Sequence, residues 1–168
     1  MNMPNTYTST NETGCCAVPN ISDWQDAQIE FINERFIILH TKSFLYMPLN
    51  MAKIMKKLDR AASEANAKPP MEQAMILSRD ISPWQAEQCY RVTMPIQGQD
   101  NIVLNGSFLS KVFEGPYQNA KKWYNEMLSY AAEQGSAAKR VYFFYTTCPK
   151  CAKHYGKNYV IGLAEVQI

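Results

Sequence analysis

The chain has 168 residues, a formal net charge of +2 and an apolar fraction of 46%, which describes one globular domain of ordinary size. About two thirds of the unfolded surface is buried at such a length, so the core needs neither disulfides nor metals. The near-balanced charge and the lack of a basic stripe argue against nucleic-acid binding. No apolar run is long enough to span a bilayer, and polar Met1–Gly14 lacks the apolar core of a secretory signal. The expected location is the cytoplasm, where the five cysteines are reduced thiols or metal ligands.

Residues 1–25 read as a flexible, Asn/Thr/Ser-rich tail and lead-in, with Trp24 docking onto the domain that spans 26–168. Arg35–Phe44 has the β-branched and aromatic content of a strand. Pro48-Leu49-Asn50 ends it and offers Asn50 as a helix cap. Met51, Ile54, Met55, Leu58, Ala61, Ala62 and Ala65 follow at helical spacing, and Lys68-Pro69-Pro70 stops the helix. Gln73–Arg79 and Gln85–Met94 read as strands around a turn at Asp80–Pro83. Lys56-Lys57 and Lys121-Lys122 are the wet faces of helices.

The order then repeats. Val103–Glu114 is a strand broken by Gly115-Pro116, and Asn119 can cap a helix carrying Ala120, Trp123, Tyr124, Met127, Leu128 and Ala131. Val141–Thr147 and Tyr159–Ile168 are the last two strands. The halves, about 31–96 and 103–168, each run strand, helix, strand, strand. The expected fold is therefore α+β: a duplicated βαββ module forming a twisted antiparallel sheet, with two helices on one face and a ligand groove on the other.

The final strand suggests what the groove holds. Val160, Gly162, Ala164, Val166 and Ile168 point one way, and Tyr159, Ile161, Leu163, Glu165 and Gln167 the other. Glu165 among aromatic walls can pair with a cationic ligand or act as a general acid or base; a solvated carboxylate is the plainer alternative. Trp84, Tyr90, Phe113, Tyr117 and Tyr145 are the candidate walls, strand parity being unfixed for Tyr90 and Tyr145. Trp123 reads as core, and His40 as a hydrogen-bonded structural residue.

Phe113-Glu114-Gly115-Pro116-Tyr117, with Ala120, Trp123 and the closing Glu165-Val166-Gln167-Ile168, resembles the GyrI-like (SOUL/BmrR-type) small-molecule-binding domain. Gly14-Cys15-Cys16, Pro48-Leu49-Asn50, Ser82-Pro83-Trp84, Cys148–Lys153 and Tyr155–Tyr159 resemble more closely a bacterial subgroup labelled hydrolase. The likeness covers about residues 14–168. It implies a ligand groove, with Glu165 as the acidic residue serving binding or catalysis.

Cys148-Pro149-Lys150-Cys151 lies between strands and can hold two corners of a tetrahedral zinc site, with His154 and Cys15 or Cys16 as further corners. Ordinary reduced thiols are the alternative, and Cys89 is most simply a small buried hydrophobe. No cofactor is required beyond that structural zinc. Three functions stay open: binding of a small amphipathic, possibly cationic, organic compound; hydrolysis of a strained or electrophilic small molecule through Glu165; and a zinc-stabilised protein-interaction module. The expected partner is a small organic ligand, with the chain a monomer or homodimer.

Overall fold

A computed structural model describes residues 1–167. Ile168, assigned above to the last strand, lies outside them. The elements run β1 (Ala27–Phe44), β2 (Met47–Pro48), α1 (Met51–Glu64), β3 (Ile76–Ser82), β4 (Gln85–Val92), β5 (Asp100–Glu114), α2 (Ala120–Glu133), β6 (Ala138–Tyr145), α3 (Pro149–Tyr155) and β7 (Tyr159–Val166). The α+β class and the duplicated order are as expected. Differences sit where turn chemistry decides. β1 begins earlier and absorbs a bulge between Phe31 and Glu34, where Asn33 takes a left-handed φ of 52°. The connection after β6 contains α3, which starts on Pro149 and ends on left-handed Gly156.

All the ladders are antiparallel. The strand order β2-β1-β4-β3-β6-β7-β5, with β1 also pairing β5, closes the sheet into a ring. Within each half the last strand sits in the middle, β4 between β1 and β3, and β7 between β5 and β6. The halves meet on one side through the single registered pair Ser78 and Phe143, and on the other along most of β1 and β5.

Helices α1 and α2 lie outside the ring. α1 packs Ile54, Leu58 and Ala62 against Ile37, Val92 and Ile96. α2 packs Trp123, Met127 and Ala131 against Leu109, Phe113, Val141, Phe143, Val160 and Ala164. Gly162 makes the second contact possible: a Cβ there would sit 2.8 Å from Met127 Sδ and 3.0 Å from a Phe113 ring carbon. Asn50 and Asn119 precede the helices but make no capping bond. The Asn50 side-chain oxygen instead accepts the Lys42 N–H at 2.8 Å.

The inside of the ring is the main core. Phe36, Leu77, Cys89, Leu104, Phe108, Tyr142, Phe144, Ile161 and Leu163 fill it with Trp24 and Ile29. The side opposite the helices is thus occupied by side chains over most of its length.

The N-terminal segment is a plug and not the expected loose tail. Thr6, fully buried, donates to the carbonyls of Glu72 and Ala74 at 3.1 and 2.6 Å. The Tyr7 hydroxyl donates to the Thr146 carbonyl at 2.6 Å, and its ring meets Phe144 edge-on. The Trp24 indole N–H reaches the Asn5 carbonyl at 2.9 Å. Composition alone suggested disorder, but buried backbone partners and two aromatic anchors offset the ordering entropy. No helix of the described residues is long and apolar enough to cross a membrane.

Candidate functional site

The end of the ring where β6 begins and β7 ends carries charge on its inner face. Alternation along each strand puts Arg79, Glu87, Cys89, Arg140, Tyr142 and Glu165 on the same side as the core residues Leu77, Phe144 and Leu163. β6 and β7 pair Arg140 with Glu165, and β3 and β4 pair Arg79 with Glu87. Each pair closes an ion pair. Arg140 donates from Nε and Nη2 to the two Glu165 oxygens at 2.7 and 3.3 Å. Arg79 donates from Nη2 to Glu87 at 3.2 Å.

Tyr142 stands between them, with the Arg79 and Arg140 guanidinium carbons 5.9 and 6.0 Å from its ring centre. Its hydroxyl is buried without a hydrogen-bond partner, as is Arg79 Nε. Burial, foremost, pushes the Tyr142 phenol up to about 12. The Cys89 thiol lies 3.2 Å from a Glu87 oxygen, and burial and then that carboxylate push it upward, which makes it a poor nucleophile. His40 stands directly across from Glu87 in the β1–β4 register, exposed and on the same face.

The opposite end of the ring gathers the second cluster. The Sγ atoms of Cys15, Cys16, Cys148 and Cys151 all lie within 4.8 Å of one another and could hold a metal ion. Cys15–Cys16 are 3.8 Å apart, Cys16–Cys148 3.7 Å and Cys15–Cys148 4.0 Å. Cys148 is the N-cap of α3 and Cys151 lies in its first turn, so one helical turn brings both sulfurs to the same side. Gly14, at a left-handed φ of 71°, turns the other strand of chain. That turn lets the Thr13 hydroxyl accept the N–H groups of Cys15 and Cys16, both at 3.2 Å, while lying 3.3 Å from Cys151 Sγ. Hydrogen bonding to Thr13 first, and then to Cys148, Cys16 and Cys15, brings the Cys151 thiol down to about 7 against the opposing effect of burial, whereas burial pushes Cys16 up. His154 is not part of the cluster: its Nε2 lies 3.1 Å from Glu12.

The aromatic residues expected to surround Glu165 are not brought to it. Glu165 faces the ring interior, its side chain 13% exposed. Phe113 points outward and stacks on Trp123 at 5.6 Å. Tyr145 is also outside the ring, edge-on to Tyr117 at 5.4 Å. Tyr90 faces α1 and donates to Asp59 at 3.0 Å. Trp84 is 55% exposed at the β3–β4 turn, against Phe44. The reason is parity: these strand residues occupy the positions that alternate away from Glu165. Arg79, Glu87, Arg140 and Tyr142 were missed. Only Arg140 and Tyr142 precede an apolar run, in β6; β3 and β4 are mixed along their length, so Arg79 and Glu87 carry no local signal.

A closed antiparallel α+β ring, plugged at one end and charged at the other, is the architecture to be matched. Residues 6–166 match the bacterial hydrolase family, and the chain belongs to it. That family agrees with the subgroup suggested by the Cys148–Lys153 run. The fold is shared with an uncharacterised conserved protein from Listeria innocua, at TM-score 0.60 and 11% identity over 86% of this chain and 93% of that one. A hydrolase from Listeria innocua aligns at TM-score 0.59 and 10% identity, covering 85% of this chain and 92% of its own. A further Listeria innocua hydrolase aligns at 0.58 and 12%, covering 86% and 93%. No curated protein matches the sequence.

Proposed function

We propose that the protein hydrolyses a small organic electrophile at the charged end of the ring, with Glu165 positioning and deprotonating the attacking water. The observation that carries this reading is the unpartnered Tyr142 hydroxyl between two guanidinium groups, each tied to a carboxylate. Buried polar groups in native proteins are almost always satisfied, so the Tyr142 hydroxyl and the Arg79 Nε–H are two donors free for a polar atom from outside the chain, water or substrate.

A carboxylate offers about four lone-pair positions, and Arg140 occupies two of those on Glu165. The rest can accept a hydrogen bond from water. Hydroxide adds to the electrophilic carbon as the proton moves to the carboxylate, and that proton then passes to the leaving group. The Tyr142 hydroxyl donates to the oxygen on which negative charge develops. Family membership and the hydrolase neighbours support the reaction class; the likeness to GyrI-like domains supports a small, amphipathic substrate. Binding without chemistry is the first half of the same scheme.

The test is turnover of a panel of activated esters, epoxides and strained rings, alongside the melting temperature. Glu165→Gln should lower turnover by about 10²–10⁴-fold while its circular dichroism stays native. Turnover that persists in this variant rejects Glu165 as the base. A thermal shift without product rejects hydrolysis and leaves ligand binding.

A further inference from the structure

We infer that Cys15, Cys16, Cys148 and Cys151 form a four-thiolate zinc centre that locks the N-terminal plug onto α3. The inference is independent of the hydrolase reading. It rests first on spacing. Four sulfurs at about 2.3 Å from one zinc ion stand about 3.8 Å apart along the edges of a tetrahedron. The three separations among Cys15, Cys16 and Cys148, 3.7, 3.8 and 4.0 Å, match that edge, and Cys151 Sγ lies within 4.8 Å of each of them. An iron–sulfur cluster would need the thiolates farther apart, so the site is sized for a single ion.

It rests secondly on where the sulfurs are. Cys15 is exposed, Cys16 and Cys148 are only half-buried, and Cys151 alone is buried, so hydrophobic burial does not explain why the other three converge on it. They arrive from segments 133 residues apart in sequence. Two arms are prepared for them: the cap and first turn of α3, and the Gly14 turn whose backbone N–H groups are held by Thr13. Tyr155 adds a fastening, its hydroxyl donating to the Cys16 carbonyl at 2.7 Å and accepting the Glu12 N–H at 3.2 Å. Such support around the ligands is what a metal site requires to hold its geometry. With four protein ligands the centre is closed, which makes it structural and not catalytic. Cys15 and Cys16 act as co-ligands despite adjacency, because the left-handed Gly14 lets both sulfurs turn toward α3.

The test uses the untagged full-length chain, expressed with zinc and purified without chelator. Metal analysis should find one zinc per chain. Exchange of zinc for cobalt should give the intense thiolate-to-cobalt bands of a tetrahedral sulfur site. In Cys148→Ser/Cys151→Ser the zinc should be lost, and hydrogen exchange over residues 6–20 should quicken while β1 and β4–β7 stay protected. If that variant does not fold, Thr13→Val keeps the question open to experiment, since it leaves all four ligands and should weaken zinc binding by about 10–100-fold. A folded, zinc-free protein with freely alkylated thiols overturns the inference. So does iron in place of zinc, or a Cys148–Cys151 disulfide in the freshly purified chain.

Discussion

The two ends of the ring differ in how their polar groups are used. At the plugged end the Thr6 hydroxyl, the Tyr7 hydroxyl and the Trp24 indole all reach backbone carbonyls, and Ser110 donates to the Trp24 carbonyl at 2.6 Å; the Thr147 hydroxyl, next to Cys148, is buried there without a partner. At the charged end, the Tyr142 hydroxyl and Arg79 Nε are left without partners, and two ion pairs sit part-buried. Satisfied polar groups stabilise; unsatisfied ones cost about 1–3 kcal/mol each. A fold retains such a cost where function needs it. On the proposed function the plugged end serves stability and the charged end chemistry, and substitutions at the two should separate along that line.

The largest effect on stability belongs to Trp24→Ala. The residue is fully buried in the inner core and hydrogen-bonded to the plug. Its loss should cost about 3–5 kcal/mol in a urea unfolding series, with turnover per folded molecule unchanged. A fall in turnover at full folding would break the division between the ends. Next is Arg140→Met, which strands the Glu165 carboxylate. A buried pair broken this way costs about 3–5 kcal/mol, but the Arg140 side chain is 42% exposed. Solvent screening brings the expectation to about 1–2 kcal/mol. Adding Glu165→Gln should restore most of that stability without restoring turnover. Tyr7→Phe is smaller again, about 1 kcal/mol for one satisfied hydrogen bond, read as a drop in melting temperature.

Strand and helix order was legible because periodicity and Pro/Gly punctuation are local. α1 and α2 fall where the apolar spacing puts them, and β7 alternates as read. Closure was not legible. It depends on β1 pairing β5 as well as β4, and on one contact between β3 and β6, and no local signal in a strand names its second neighbour. Closure in turn fixed which parity faces inward, so Glu165 was read as a candidate from its own strand while its neighbours Arg140, Tyr142, Arg79 and Glu87 were not. The cysteine site was half legible. The Cys-x-x-Cys spacing offers two corners, and Cys15 or Cys16 was read as a further one; that both join depends on the docking of the N-terminal segment, which no local signal shows. His154 looked like a ligand because it lies three residues beyond Cys151, whereas α3 turns it toward Glu12.

Tyr142→Phe should have the smallest effect on stability near neutrality, and it discriminates best between the ends. Removing a buried hydroxyl that has no partner leaves stability unchanged or raised by up to about 1 kcal/mol, the reverse of Tyr7→Phe. Its pH dependence is distinctive as well. Burial raises the folded phenol to about 12, against about 10 for an unfolded tyrosine. The folded state therefore holds its proton where the unfolded state loses it. The associated stability is complete below pH 10 and is lost as the pH climbs through 12, by roughly 2 kcal/mol over that window. In Tyr142→Phe that part of the alkaline slope should vanish from denaturation curves taken between pH 9 and about 12. Turnover should nonetheless fall, because the hydroxyl that costs the fold a hydrogen bond is the one assigned to the substrate. An equally active Phe variant would show that the orphan hydroxyl has no part in the reaction, and the charged end would then be no more than a polar rim.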